Sequence, residues 1–169
     1  MENQELENEK PKRPTFLVVL AVLSYISIGI GTLGVLFSLI SGPISQEQLE
    51  QQEAQLYESI NALNDAGMDD FVTIIETSSN QAKYINNEVF YSFNIINLFS
   101  LIIGFMGVFL MMRLKKVGFH LYVAYSLLSI IIMYALIPMN LIIGASIITS
   151  VILSAIFCIL YGLNLKHME

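Results

Sequence analysis

Residues 117–165 contain no Asp, Glu, Lys or Arg, and His120 is the only side chain among them that titrates near neutral pH. A helix rises ~1.5 Å per residue and the hydrocarbon of a bilayer is ~30 Å thick, so this run is long enough for two crossings. Pro138-Met139-Asn140 interrupts it near the middle. Proline lacks an N–H and biases the residue before it away from helical dihedrals, which predicts a turn at 138–140. The flanking segments, 117–137 and 141–165, are apolar around their whole circumference. A helix of a soluble core needs neighbours with solvated faces, so lipid is the expected surround. Each segment is expected to span a membrane.

The rest of the chain repeats the pattern. Only 13% of residues are charged, where a soluble domain carries about a quarter. The deficit falls in three charge-free blocks, 14–46, 89–112 and 117–165. They accommodate four spans, at 15–42, 90–112, 117–137 and 141–165. The net charge of −6, read alone, suggests an acidic soluble protein, but its distribution says otherwise. Lys10, Lys12, Arg13, Arg113, Lys115, Lys116 and Lys166 flank span ends that four crossings put on one side. Basic flanks stay cytoplasmic. Both termini and the turn 113–116 are therefore expected inside, and 43–89, with nine acidic residues and Lys83 as its one basic residue, outside. The expected fold is all-α: an integral membrane four-helix bundle with an extracytoplasmic helical hairpin between spans 1 and 2.

Residues 1–14 are polar and proline-punctuated and are expected to form a disordered cytoplasmic tail. The apolar run behind them reaches Ile44, too long for the h-region of a cleaved signal, so the first span is expected to remain uncleaved. In the outer segment, Ser45 and Gln48 predict a capping box. Leu49, Leu56, Ile60 and Leu63 form one stripe of the helix that follows. Gly67 suits the left-handed stop. A second seam runs through Met68, Phe71, Ile75, Ser78, Ala82, Ile85 and Val89. No proline or glycine lies between Met68 and Ile103, so this helix is expected to continue into the second span. The two outer helices are expected to pair antiparallel, with Leu49, Leu56, Ile60, Leu63, Phe71, Ile75 and Ile85 as candidate contacts.

Three span faces stand out. In the first span, Gly29-Ile30-Gly31-Thr32-Leu33-Gly34 matches the dinucleotide fingerprint, but the strand and βαβ unit which that chemistry needs are missing from the pattern. Gly31 and Gly34 read better as sites of close helix approach. In the second span Asn94, Asn97, Ser100, Gly104 and Gly107 share a face, either a polar pathway or ligand cleft, or hydrogen-bonding glue between helices. In the fourth, Ser146, Ser150, Ser154, Cys158 and Gly162 recur at an unbroken stride of four, a candidate packing ridge. His120 and His167 fall at the same end of the bundle, but two histidines do not fill a zinc site. A single cysteine permits no internal disulfide.

The segment Leu114-Lys115-Lys116-Val117-Gly118-Phe119-His120-Leu121-Tyr122 resembles the turn-and-span segment of small, uncharacterised multi-span bacterial membrane proteins. The resemblance covers about a tenth of the chain; it implies a bacterial inner-membrane setting and carries over no catalytic residue. The spans lack the embedded Glu of small multidrug exporters, and the loop lacks the Trp and paired Cys of claudin-like loops. With no carboxylate in any span, a carboxylate proton relay is not expected. No Ser/His/acid set can be assembled from this topology. The expectation is a non-enzymatic membrane protein without cofactor, metal or nucleic acid. Its expected partners are the lipid bilayer and either copies of itself or another membrane protein. A transport component or lipid or small-molecule binder using Asn94 and Asn97 is the alternative.

Overall fold

A computed structural model describes residues 13–169; the expected tail at 1–14 lies outside them except for Arg13 and Pro14. The described residues are helical with no strand. In chain order the helices are α1 (Thr15–Ser41), α2 (Gln46–Asp65), α3 (Asp69–Tyr84), α4 (Phe90–Met112), α5 (Lys116–Leu136) and α6 (Gly144–Gly162). Four stretches are long and apolar enough to cross a membrane: Thr15–Ser41, the apolar end of Asp69–Met112, Lys116–Leu136 and Gly144–His167. α1, α4, α5 and α6 pack as a ring in that order, with α6 returning to α1.

Local chemistry explains the boundaries of the segment between the first two spans. Ser45 and Gln48 form the capping box: the Gln48 N–H donates to Ser45 Oγ at 3.3 Å and the Ser45 N–H to Gln48 Oε1 at 3.1 Å. Two orphan donors at the start of α2 are thereby satisfied. Gly67, at φ +71°, ends the excursion in a conformation that would strain any residue with a Cβ. α3 opens on Asp69 and Asp70, where negative charge suits the helix dipole. It then joins α4 through a π-helical turn, Ile85–Val89. The joined helix runs 44 residues, Asp69–Met112, roughly 65 Å at the usual rise.

α2 folds back antiparallel along α3. Glu53 pairs with Lys83 across the two helices. Leu49, Ile60 and Val72 are the buried apolar residues of the hairpin, with Leu56, Leu63, Ile75 and Ile85 half-buried. Phe71 departs from the expected seam: it is 55% exposed and its neighbour Val72 is buried, while Ile75 and Ile85 of the same seam are half-buried. Glu76, Ser79 and Lys83 share the Val72 face and line the groove against α2. The spacing alone favoured Phe71 because phenylalanine is the more apolar residue, but α2 meets α3 along a mixed face.

The first-to-second span junction is held by the π-turn. The Asn86 side chain accepts from the Ile44 N–H at 2.8 Å and donates to the Ile44 carbonyl at 3.1 Å. One amide thus satisfies both backbone groups of a loop residue, as a neighbouring strand would. Asn86 also reaches Asn87 Oδ1 at 2.9 Å. A π-turn rotates the residues after it relative to a regular helix, so the register of Asn86 is set by backbone geometry rather than by spacing.

The α4–α5 turn is closely packed. Leu114 takes φ +59°, an unfavourable conformation for leucine that its burial helps offset. The chain's last residues return to this turn: Glu169 N–H donates to the Leu114 carbonyl at 2.7 Å and Lys116 N–H to the Glu169 carbonyl at 2.8 Å. Beyond it, α4 and α5 meet at Gly107 and Gly118. A Cβ on Gly118 would strike the Met111 backbone nitrogen and lie 2.6 Å from the Gly107 carbonyl oxygen. One on Gly107 would lie 2.9 Å from the Tyr122 nitrogen. Backbone packs directly on backbone, the arrangement small residues permit between apolar helices.

The fourth apolar segment differs from its expected limits. Residues after Pro138 form a short 3₁₀ turn, Met139–Leu141, and α6 begins only at Gly144. Beyond Gly162 the chain makes another 3₁₀ turn, Leu165–His167. A 3₁₀ hydrogen bond from the Leu141 N–H to the Pro138 carbonyl, 2.9 Å, tightens the connection where a longer helix was expected.

Candidate functional site

The bundle has one packed end and one open end. At the end bearing the α4–α5 turn, Leu17, Leu20, Val108, Met111 and Tyr161 form the buried core. Toward the hairpin, α1 turns outward-facing residues such as Leu33, Phe37 and Ile40 to the surroundings on successive turns. Where packing gives way to opening, about halfway along the spans, a cleft forms among α1, α5 and α6.

Glycines on α4 determine what faces this cleft. The Tyr125 ring rests on Gly104, where a Cβ would stand 2.8 Å from its Cγ. Gly107 admits the Tyr122 backbone. α5 can therefore lie close to α4, with the Tyr125 ring packed on Gly104 and the Tyr122 ring turned toward α1 and α6. Tyr122 and Tyr161 rings sit 4.7 Å apart at 59°, a tilted contact of the favourable kind. The Tyr161 hydroxyl, on a residue with 0% exposure, donates to Ser24 Oγ at 2.9 Å. The Tyr122 hydroxyl stands 3.5 Å from the same oxygen. Cys158 Sγ lies 3.8 Å from Ser126 Oγ.

The cleft itself encloses about 200 Å³. Seven hydroxyls line it: Ser24 and Ser27 from α1, Tyr122, Tyr125, Ser126 and Ser129 from α5, and Ser154 from α6, with Leu153 and Phe157 as apolar walls. Ser129 donates to the Tyr125 carbonyl of its own helix at 3.1 Å. No acidic, basic or imidazole side chain lines it. Its chemistry is therefore that of uncharged hydroxyl donors and acceptors between apolar walls. It can bind and orient, and it presents no nucleophile–base pair of the kind acyl or phosphoryl transfer needs.

The other predicted faces are distributed differently. Asn94 donates to the Phe90 carbonyl at 2.8 Å and Asn97 to the Phe93 carbonyl at 3.0 Å. Both amides turn back onto their own helix, a local bond that competes with interhelical contact. Asn94 borders a separate cavity of about 450 Å³ beneath the hairpin, beside Phe93 and Leu49. Ser100 is buried, and its hydroxyl has no hydrogen-bond partner among the described residues. Gly31 meets Leu101 at 3.3 Å from its Cβ position, whereas Gly34 has nothing within 4 Å. On α6, Ser146 and Ser150 are exposed, Ser154 lines the cleft, and a Cβ on Gly162 would lie 3.9 Å from the Phe119 ring. The ridge of four-residue stride thus contacts the bundle only along its second half.

His120 Nδ1 lies 3.0 Å from the Lys116 carbonyl, and His167 borders a different pocket beside Arg113 and Lys115. The two histidines do not form a pair. Among the described residues no group of three or more His, Cys, Asp or Glu could hold a metal.

Sequence reasoning missed three parts of this site. Gly118 entered only within the turn-and-span segment at the start of the third span, and Ser24 and Tyr161 were not singled out. The signals were present: Gly104, Gly107 and Gly118 bracket a turn of a few residues, and Tyr161 is a polar-tipped aromatic beside Gly162 near a span end.

Residues 11–157 match a family model described as a domain of unknown function (DUF8777), and the chain belongs to that family. No curated protein and no solved structure matches it.

Proposed function

We propose that the protein is a non-enzymatic multi-pass membrane protein, a small subunit or scaffold that contacts a protein partner through the α2–α3 hairpin. The observation that carries this reading is the bare apolar face of α3. Gln81 on that helix touches Met133 of α5, and Ile74, seven residues earlier and so on the same side, is exposed together with Phe71 and Met68. Past its contacts with α5 and with the Met139–Leu141 turn, α3 leaves Phe71 and Ile74 uncovered by any of the described residues. Because α3 is continuous with a span-length helix, force or position at the hairpin is transmitted along one rod. Such apolar patches rimmed by polar residues mark contact sites. The partner is a second copy or another membrane protein.

The basic flanks support an orientation with the α4–α5 turn in the cytoplasm and the acidic hairpin outside a bacterial inner membrane. Cysteines placed at position 65 and position 115, labelled from opposite sides of the membrane, test it. For the partner, Phe71→Ser with Ile74→Ser is expected to abolish the crosslinked or native-mass complex while leaving the helical content unchanged. A species that is monomeric at every concentration and crosslinks to nothing in its native membrane rejects the reading. The Asn94/Asn97 alternative has less support, since both amides spend a donor on their own helix.

A further inference from the structure

We propose that the cleft among α1, α5 and α6 binds the uncharged, hydroxyl- and ester-bearing head of a lipid-soluble molecule of the diacylglycerol type, with its chains leaving between α1 and α6. Three observations converge on that class. The first is depth. Ser24, Ser126 and Ser154 each lie about ten residues from the turn-side end of their helix, or roughly 15 Å along its axis, near the middle of a ~30 Å hydrocarbon layer. A charged headgroup held there would need a paired countercharge. The cleft has none, so its occupant is neutral.

The second is size and chemistry. A cleft of about 200 Å³ is smaller than the ~300–1,000 Å³ of a pocket for a drug-sized ligand and suits a small head such as the glycerol backbone of a diacylglycerol. Hydroxyls both donate and accept; they complement a head that has ester carbonyls to accept and one free hydroxyl to do both. The Tyr161–Ser24 bond occupies one face of Ser24 and fixes the floor, leaving Ser27, Tyr125, Ser126 and Ser154 for a ligand. The third is access. Ser27 and Leu153 are exposed at the mouth, and both stand on helices whose outer faces are apolar. Entry is therefore lateral, from lipid. The groove on the opposite side of α1, between it and α4, is lined by Leu33, Leu101 and Phe105 and has the character of ordinary tail-contacting surface.

The experiment uses the full chain in nanodiscs of phosphatidylcholine. A photoreactive dioleoylglycerol and a phosphatidylglycerol with the same photoreactive chains are compared, and labelled peptides are mapped. Because the photoreactive groups are on the chains, preferential labelling of α1 and α6 at the mouth of the cleft by the neutral lipid is expected. Ser126→Ala combined with Ser154→Ala is expected to lower it about tenfold, the loss of two or three interhelical-strength hydrogen bonds. Ser154→Leu, which fills the cleft, is expected to abolish it. If the leucine variant does not fold, the double alanine variant, which adds no volume, decides. Equal labelling by both lipids, labelling confined to the α1–α4 groove, or labelling indifferent to the double alanine variant overturns the proposal. None of these outcomes bears on the hairpin contact, which Phe71 and Ile74 test separately.

Discussion

The two ends of the bundle are built from similar residues and behave differently. At the turn end, α4 and α5 approach until backbone touches backbone at Gly107 and Gly118, and Leu17 and Tyr161 are completely enclosed. Toward the hairpin end, Gly34 on α1 has open space where a Cβ would go. The difference also runs between helices: 28% of the apolar window of α1 is buried but only 6% of that of α6. A glycine or serine in a span therefore says little by itself. It becomes a packing site only where a second helix presents a matching small surface at the same height, because in lipid there is no hydrophobic drive to close a gap that side chains do not fit.

Substitutions at matched glycines break this comparison most sharply. Gly118→Val is expected to cost about 3 kcal/mol or more, since the added atoms meet backbone that cannot rotate away. Gly34→Val, in open space, is expected to stay within about 0.5 kcal/mol. Thermal melts of the detergent-solubilised variants measure both, and equal losses would remove the distinction between the ends.

A smaller effect is expected at the junction with the hairpin. Asn86→Ala deletes both bonds to Ile44 and is expected to cost about 1–2 kcal/mol. Faster amide exchange at Ile44, without change in α4 or α5, is the specific signature. If exchange rises throughout the spans instead, the clamp is not local. Tyr161→Phe keeps the ring and removes the hydroxyl bonded to Ser24; about 0.6–1 kcal/mol is expected, against no measurable change for Ser146→Ala on the exposed part of α6. Least of all, Lys83→Ala, which breaks the part-exposed pair with Glu53, is expected to shift stability by less than about 1 kcal/mol and to lose even that in high salt. A larger shift would mean that the hairpin depends on charge rather than on Leu49, Ile60 and Val72.

Much of the architecture was legible in the chain itself. The absence of charge over 117–165, the break at Pro138, the Ser45–Gln48 cap and the Gly67 stop are local signals, each acting through the backbone of its own neighbourhood. They mark where helices begin and end, and the structure has helices there. The uninterrupted stretch from Met68 onward likewise foretold one rod entering the second apolar segment. Phe71 departs from its seam, exposed beside the buried Val72, for a related reason: helical spacing reports which residues share a face, but the facing helix selects how much of that face is covered.

The site was less legible. Four rods of apolar residues can be rotated and tilted against one another without altering any hydropathy pattern, so the sequence could not choose which polar residues meet. Asn94 and Asn97 looked the more promising face, yet their amides close onto the preceding turn. Ser24, Tyr122 and Tyr161, separated by most of the chain, come together only because Gly104 and Gly107 let α5 settle against α4 with Tyr122 facing α1 and α6. The sequence alone determined that this protein has span-length apolar helices and an acidic helical segment between the first two, because burial in lipid is decided residue by residue. Only the tertiary structure decided that the bundle closes at one end and opens into a hydroxyl-lined cleft, because that depends on the fit of surfaces from distant helices.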